Sequence, residues 1–156
     1  MARAIAFGAA GARAVRIATA RERAAPALNA GSAGGGVRTL LRMEGLAVLA
    51  LATAAYAQFG AGWGWFALLF LLPDLSFLAY LAGPRVGAAA YNAAHSYVLP
   101  VMLLAMGVLG TAPAVLAVAL VWFAHIGFDR ALGYGLKYAS GFRQTHLGPI
   151  GRADPW

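Results

Sequence analysis

Between residues 40 and 128 the chain runs through long apolar stretches separated by short breaks of glycine, proline or arginine. A membrane-crossing helix needs about 20 mainly apolar residues. Four such stretches fit. The first is Leu40–Phe59, closed by "GAGWG", a glycine-rich turn carrying tryptophans of the kind found at membrane surfaces. The second is Trp63–Leu81, closed by "AGPR". From Val86 to Phe128 there are 43 residues without a charge. That is too long for one span and right for two, and "GTAP" at 110–113 supplies the turn. The third span is therefore Val86–Leu109 and the fourth Pro113–Phe128. Connections this short join only antiparallel neighbours. The predicted fold is all-α, an antiparallel up-down four-helix bundle embedded in the membrane.

Details inside the spans refine this picture. Pro73 and Pro100 each lack an N–H, which frees the carbonyls of Leu69 and Ser96 and predicts a kink or a substitute partner at both places. "VGAAAYNAAHS" brings Gly87, Ala90 and Ala94 near one helix face, where small side chains let backbones approach.

Composition agrees with a membrane location. The chain is 62% hydrophobic and 11% charged, against roughly 45–50% and 25% for a soluble domain. Cysteine is absent, which excludes disulfides, thiolate nucleophiles and Cys-ligated metals. The net charge of +7 comes from the two ends. In a soluble protein that excess would suggest nucleic acid. Here the charges flank apolar spans, so the lipid bilayer is the expected partner and no nucleic acid is expected. Arginines before the first span, Arg85 between the second and third, and the basic tail all fall on one side. The positive-inside rule then places both termini in the cytoplasm.

Three regions are expected. Residues 1–37 are an Ala/Arg/Gly-rich segment ending in "NAGSAGGGV", read as disordered or as a basic interfacial helix with a flexible linker. Residues 38–138 form the transmembrane domain, and residues 139–156 a basic cytoplasmic tail.

The polar residues inside the spans are the candidates for chemistry. Insertion of Asp at a span centre costs about 2.5–3.5 kcal/mol, so each needs a reason. They are Glu44, Asp74, Asn92, His95, His125 and Asp129. At 1.5 Å per residue, Glu44 lies roughly 3 Å beyond Arg42, Asp74 and His95 roughly 12–15 Å from the Gly83–Arg85 loop, and His125 roughly 7 Å from Arg130. All four helices thus supply a polar group to the same half of the bundle. His125 and Asp129 are i,i+4 on one face of the fourth helix, Asn92 and His95 are i,i+3 on the third, and Tyr91 is i,i+4 from His95.

Imidazoles and carboxylates converging from several helices are the residue types that build metal sites in bundles. Two roles stay open for them. Asp74, His95, His125 and Asp129 can serve as acid/base residues, or Glu44, Asp74, His95, His125 and Asp129 can ligate a divalent metal ion. Plain structural roles stay open beside these. Glu44 can balance a helix N-terminus, and Asp129 can pair with Arg130. No H-E-x-x-H, G-x-S-x-G or P-loop is present, and "GYGLKY" is only a fragment of a glycine-rich motif. Three functions remain: a membrane enzyme or metal-binding protein acting on a small lipid or membrane-dissolved molecule, an oligomeric proton-coupled transport module, and a scaffold whose polar cluster only locks helix packing.

"MEGLAVLAL", "LLPDLSFLAYLAGPRVGAAAYNAAHSYVLP" and "WFAHIGFDRALGYGLKYASGFRQTHLG" together resemble a family of small bacterial integral membrane proteins, the domain of unknown function 4260. The resemblance covers residues 38–149. It implies a four-span protein of the bacterial inner membrane and supplies no reaction. Its motifs include Glu44, Asp74, Asn92, His95, His125, Asp129, the Gly133–Tyr138 stretch and His146.

Overall fold

The computed structural model describes residues 31–151. Its helices are α1 (Gly35–Phe59), α2 (Trp63–Phe70), a 3-10 helix (Leu72–Ala82), α3 (Pro84–His95), α4 (Val98–Leu109) and α5 (Pro113–Leu132). Four continuous stretches are long and apolar enough to cross a membrane: Gly35–Phe59, Trp63–Ala82, Pro84–Leu109 and Pro113–Leu132. Large apolar side chains on their outer faces, among them Leu51, Leu68, Leu78, Leu81 and Leu109, are exposed. A water-soluble domain would not leave so many outward, whereas a bilayer covers them. The chain is a multi-pass membrane protein.

The spans match the apolar pattern, with longer ends. The first helix starts at Gly35, inside the expected linker, and the last runs on to Leu132. Hydropathy marks only the part of a helix that meets an apolar environment, and the helical hydrogen bonds continue past it. The N–H of Ala33 donates to the carbonyl of His146 at 2.6 Å and anchors the start. Residues 1–30 and 152–156, which hold most of the expected basic N-terminal segment and the end of the tail, lie outside the described residues.

Helix α5 is the most buried of the spans. Helix α1 packs along it, α2 and α4 also lie against it, and α3 packs on the 3-10 helix. The α1–α5 crossing depends on two glycines. A Cβ on Gly127 would stand 2.6 Å from the backbone nitrogen of Leu49 and 2.7 Å from the carbonyl oxygen of Gly45. No side chain fits there, so the two backbones touch. Towards the turns at 60–62 and 110–112 the core is apolar, with Tyr56, Ala117, Leu120 and Val121 packed together.

Both prolines sit at real breaks. The second span ends its α-helix at Phe70 and continues from Leu72 as a 3-10 helix carrying Pro73 in its first turn. The third span breaks at Ser96 and Tyr97, and Pro100 lies in the first turn of α4. A helix that stops inside a membrane orphans its last carbonyls. Two side chains of α5 satisfy them: Trp122 Nε1 donates to the carbonyl of Ala94 at 2.6 Å, and an Arg130 NH2 donates to that of His95 at 3.2 Å.

An 11-residue 3-10 helix is long for its type. With three residues per turn, Asp74, Phe77 and Tyr80 stand in one row, where an α-helix would fan them apart. Phe77 meets the Tyr91 ring at 5.1 Å between centroids, and Tyr80 meets Phe142 at 5.3 Å. The row therefore faces α3 and the C-terminal segment.

That segment, which includes the start of the expected basic tail, is folded through residue 150. Gly133, in the left-handed region at φ 96°, ends α5; its N–H and that of Tyr134 donate to the carbonyls of Arg130 and Asp129. The chain then turns back over the polar end of the helices. A short antiparallel pair, β1 (Gln144–Thr145) and β2 (Gly148–Pro149), aligns Gln144 with Pro149 and Thr145 with Gly148. Lys137 bridges to Thr145. Leu147, fully buried, plugs this cap.

Candidate metal centre

Asp74 comes from the first turn of the 3-10 helix, His95 from the end of α3, and His125 and Asp129 from α5. The helix break after His95 and the break before Asp74 both occur at this level, so two chain interruptions aim ionisable side chains at one place. His95 and His125 are each only 2% exposed. His95 Nε2 lies 3.1 Å from His125 Nε2, 3.5 Å from Asp74 Oδ1 and 3.6 Å from Asp129 Oδ2. His125 Nε2 lies 3.6 Å from Asp74 Oδ1. Asp74, His95 and His125 thus each point one ligand-type atom at a common spot.

The surroundings fix their orientation. His95 Nδ1 lies 3.0 Å from the carbonyl of Tyr91. A carbonyl only accepts, so Nδ1 carries the proton and, in the neutral ring, Nε2 is left with a bare lone pair. The Tyr91 ring stacks on His95 at 3.8 Å between centroids, and its hydroxyl donates to Asp129 Oδ2 at 3.0 Å. Phe70 packs edge-on against His125 at 5.1 Å. The remaining nitrogen of His125, Nδ1, is buried without a hydrogen-bond partner among the described residues.

This arrangement has two chemical solutions. In one, His125 Nε2 donates to His95 Nε2, and the orphaned Nδ1 is an unsatisfied acceptor. In the other, Nε2 of both rings and the Asp74 carboxylate present lone pairs to one point, a cation there would hold them together, and Nδ1 of His125 is an unsatisfied donor instead. The spacing suits the second. An ion bound at about 2.0–2.1 Å by tetrahedral ligands has ligand–ligand edges of about 3.3–3.4 Å. The observed edges are 3.1, 3.5 and 3.6 Å. A backbone carbonyl accepting from the far nitrogen of His95 is also the support that metal-ligating histidines usually have.

A cavity of about 390 Å³ opens beside the cluster. Asp74, Asp129 and Lys137 line it together with Phe77, Phe128 and Phe142. The Asp74 side chain is 38% exposed and that of Asp129 14%, so the carboxylates are the reachable side of the site and the imidazoles its buried floor.

Two sequence candidates do other work. Glu44 is exposed and borders a different cavity with Tyr97, Arg130 and His146; the Asp74–His95–His125 group does not include it. Asn92 does not join the histidines. Its amide grips the backbone of Lys137, donating from Nδ2 to the carbonyl at 2.8 Å and accepting from the N–H at 2.7 Å.

Three residues stood outside the candidate ligand and acid/base set, although Arg130 was weighed as a partner of Asp129 and the family motifs include His146 and the stretch that holds Lys137. Arg130, buried, is within 3.1 and 3.3 Å of the two His146 ring nitrogens besides holding His95 from behind. His146 Nδ1 accepts the N–H of Leu136 at 2.8 Å. Burial first, and then the charge of Arg130, hold His146 below its ordinary pKa. Lys137 is 4% exposed, and burial brings its pKa down to about 8 in spite of Asp129. For His146 and Lys137 the signal was the family resemblance, whose motifs include both positions.

No curated protein and no solved structure matches the chain. The model of one family, the domain of unknown function (DUF4260), matches residues 38–150, and the chain belongs to that family.

Proposed function

We propose that this is a membrane-embedded metalloprotein of the bacterial inner membrane, holding one divalent transition-metal ion on His95, His125 and Asp74. The observation that carries the reading is the convergence of His95 Nε2, His125 Nε2 and Asp74 Oδ1 at single-ion spacing, with His95 turned ligand-outward by the Tyr91 carbonyl. Two imidazoles and a carboxylate suit zinc, iron or manganese better than calcium or magnesium. Such an ion supplies Lewis acidity and lowers the pKa of bound water to about 7. Asp129, next to the cluster and oriented by Tyr91, is placed to take a proton from a reacting group in the cavity. The reaction class this supports is metal-assisted hydrolysis or transfer on a small molecule reached from the membrane.

A transport path is less well supported. The other half of the molecule is filled by Tyr56, Ala117, Leu120 and Val121, which offers protons no relay. Both termini belong on the cytoplasmic side in this reading, by the arginine distribution. Reporter fusions at residues 1 and 156 should both read cytoplasmic; periplasmic activity at either end would reverse the orientation.

Elemental analysis of protein purified without a histidine tag tests the centre. About one equivalent of one transition metal is expected after loading with zinc, iron or manganese salts. His95→Gln with His125→Gln should abolish it. A wild-type protein that keeps none of these metals through gel filtration would end the reading.

A further inference from the structure

Lys137 has no part in the centre as described, yet it is one of the most constrained side chains in the cap. The reciprocal bonds from Asn92, on a helix 45 positions away in sequence, clamp its backbone from both sides. Its pairing with Thr145 fixes the same residue to the hairpin. The ammonium is thereby held over two aromatic faces, 4.1 Å from the Phe142 centroid and 5.0 Å from that of Tyr91. Among the described residues no carboxylate lies within ion-pair distance of Nζ, and no hydrogen bond is made to it. It lines the same cavity as Asp74 and Asp129.

Lys137 is buried as a residue, but its ammonium borders the cavity, where a charge without a carboxylate partner attracts an anion. Packing on aromatic rings compensates only a small part of that charge. The charge count of the cavity sets the condition. Asp74, Asp129 and Lys137 sum to −1, which repels anions. A divalent ion on the triad would change the sum to +1, with two positive groups, the ion beside Asp74 and the Lys137 ammonium, on the lining of one cavity. An anion then bridges the ion and the ammonium.

We propose that Lys137 is the anion-binding residue of this cavity, and that the ligand taken there carries a phosphate group held between Lys137 and the metal ion. The inference rests on the metal reading above. Phosphate suits the site because it has oxygens for both an ammonium and a Lewis acid. At about 390 Å³ the cavity is of small-molecule size, and its aromatic walls at the polar end of the spans suit the headgroup of a phospholipid as well as a free phosphate.

The test uses the metal-loaded full chain in maltoside micelles with two probes, inorganic phosphate and short-chain phosphatidic acid. Metal content is measured on every sample. Both probes should bind by calorimetry if the phosphate group alone is read, and phosphatidic acid alone if the acyl part is needed. Lys137→Met should weaken binding about ten- to a hundredfold with metal content unchanged, and Lys137→Arg should retain most of it. Removing the metal should abolish binding in the wild type. In wild-type protein, the better probe should slow modification of Lys137 by an amine-reactive reagent, read by mass spectrometry, so the result does not depend on the Met variant folding. Loaded protein that binds neither probe, or binds one equally well with Met at position 137 and leaves the Lys137 amine unprotected, would overturn the phosphate inference while leaving the metal centre standing. Protein that takes up no metal would instead remove the reading beneath it.

Discussion

Asp129 and Arg130 are neighbours on α5, yet they open onto different cavities built on different electrostatic plans. On the Asp129 side, lone pairs gather: two imidazole nitrogens and a carboxylate oxygen lie within 3.1–3.6 Å of one another. On the Arg130 side, a guanidinium is met by neutral acceptors, the His146 ring and the His95 carbonyl. Glu44 stands at the rim. The Arg130 side closes its own hydrogen-bond account; the Asp129 side does not. Buried polar groups are nearly always satisfied, so a cluster left open points to a ligand, and a closed one to architecture. The same two residue types, His and a charged partner, thus carry different meanings a turn apart.

Exchange experiments should separate the two sides most sharply in metal affinity. His125→Gln removes a proposed ligand and should lower affinity by more than the roughly 10–100-fold typical of losing a supporting residue. His146→Gln should leave affinity unchanged. Competition with a chromophoric chelator measures both, and equal losses would mean that the two cavities are one network.

Stability should show the opposite ranking. Arg130→Met strips partners from the His95 carbonyl and from His146. Hydrogen bonds from charged donors contribute about 1.5–3 kcal/mol each, so a loss of about 2–4 kcal/mol is expected. Asp74→Asn, at a half-open rim, should cost much less. Thermal unfolding in detergent reads the order, and a larger loss at Asp74 would invert the assignment of roles.

Coupling gives a finer measure. Asp74→Asn combined with His125→Gln should be non-additive by about 0.5–3 kcal/mol, because the side chains share one point. Glu44→Gln combined with His125→Gln should add within about 0.3–0.5 kcal/mol. Coupling of Glu44 to His125 would bring Glu44 back into the cluster.

The sequence carried the spans and the shared depth of Asp74, His95 and His125, because hydropathy and helical rise are local quantities that survive without a fold. It carried the breaks at Pro73 and Pro100 for the same reason, since a missing N–H acts at its own position. What it did not carry was the consequence of those breaks. Nothing periodic announces that residues after Pro73 wind as a 3-10 helix and line up Asp74, Phe77 and Tyr80. The Asn92–Lys137 clamp and the Arg130–His95 bond are side-chain-to-backbone pairings over 45 and 35 positions, and a backbone partner leaves no mark in residue type. The α1–α5 crossing rests on Gly45 and Gly127, while Gly87, from the expected small-residue face, packs tightly under the Tyr80 ring. Single glycines on two different spans form no motif, so only the packed structure pairs them.

The smallest effect expected is one of pH, and it belongs to the closed cavity. His146 is half-buried beside Arg130, and its pKa in the folded state lies below the ordinary 6.5. Above pH 6.5 the ring is neutral in both states and titration contributes nothing. As pH falls below 6.5 the unfolded chain takes up the proton first, so it binds more protons than the folded chain and stability falls. Protonation also removes the acceptor that Nδ1 offers to the Leu136 N–H, which loosens the cap. The slope of the wild type alone assigns nothing, because it sums over every titrating group. The difference between wild type and His146→Gln does: glutamine keeps an acceptor for Leu136 and gains no charge. The variant's unfolding midpoint should fall less steeply between pH 7.5 and 5.5, the interval around that value. Parallel curves would mean that His146 has the same pKa in the folded and unfolded chains, and a variant that falls more steeply than the wild type would mean that the fold holds His146 protonated, so that the closed side would have to be rebuilt around a cation pair.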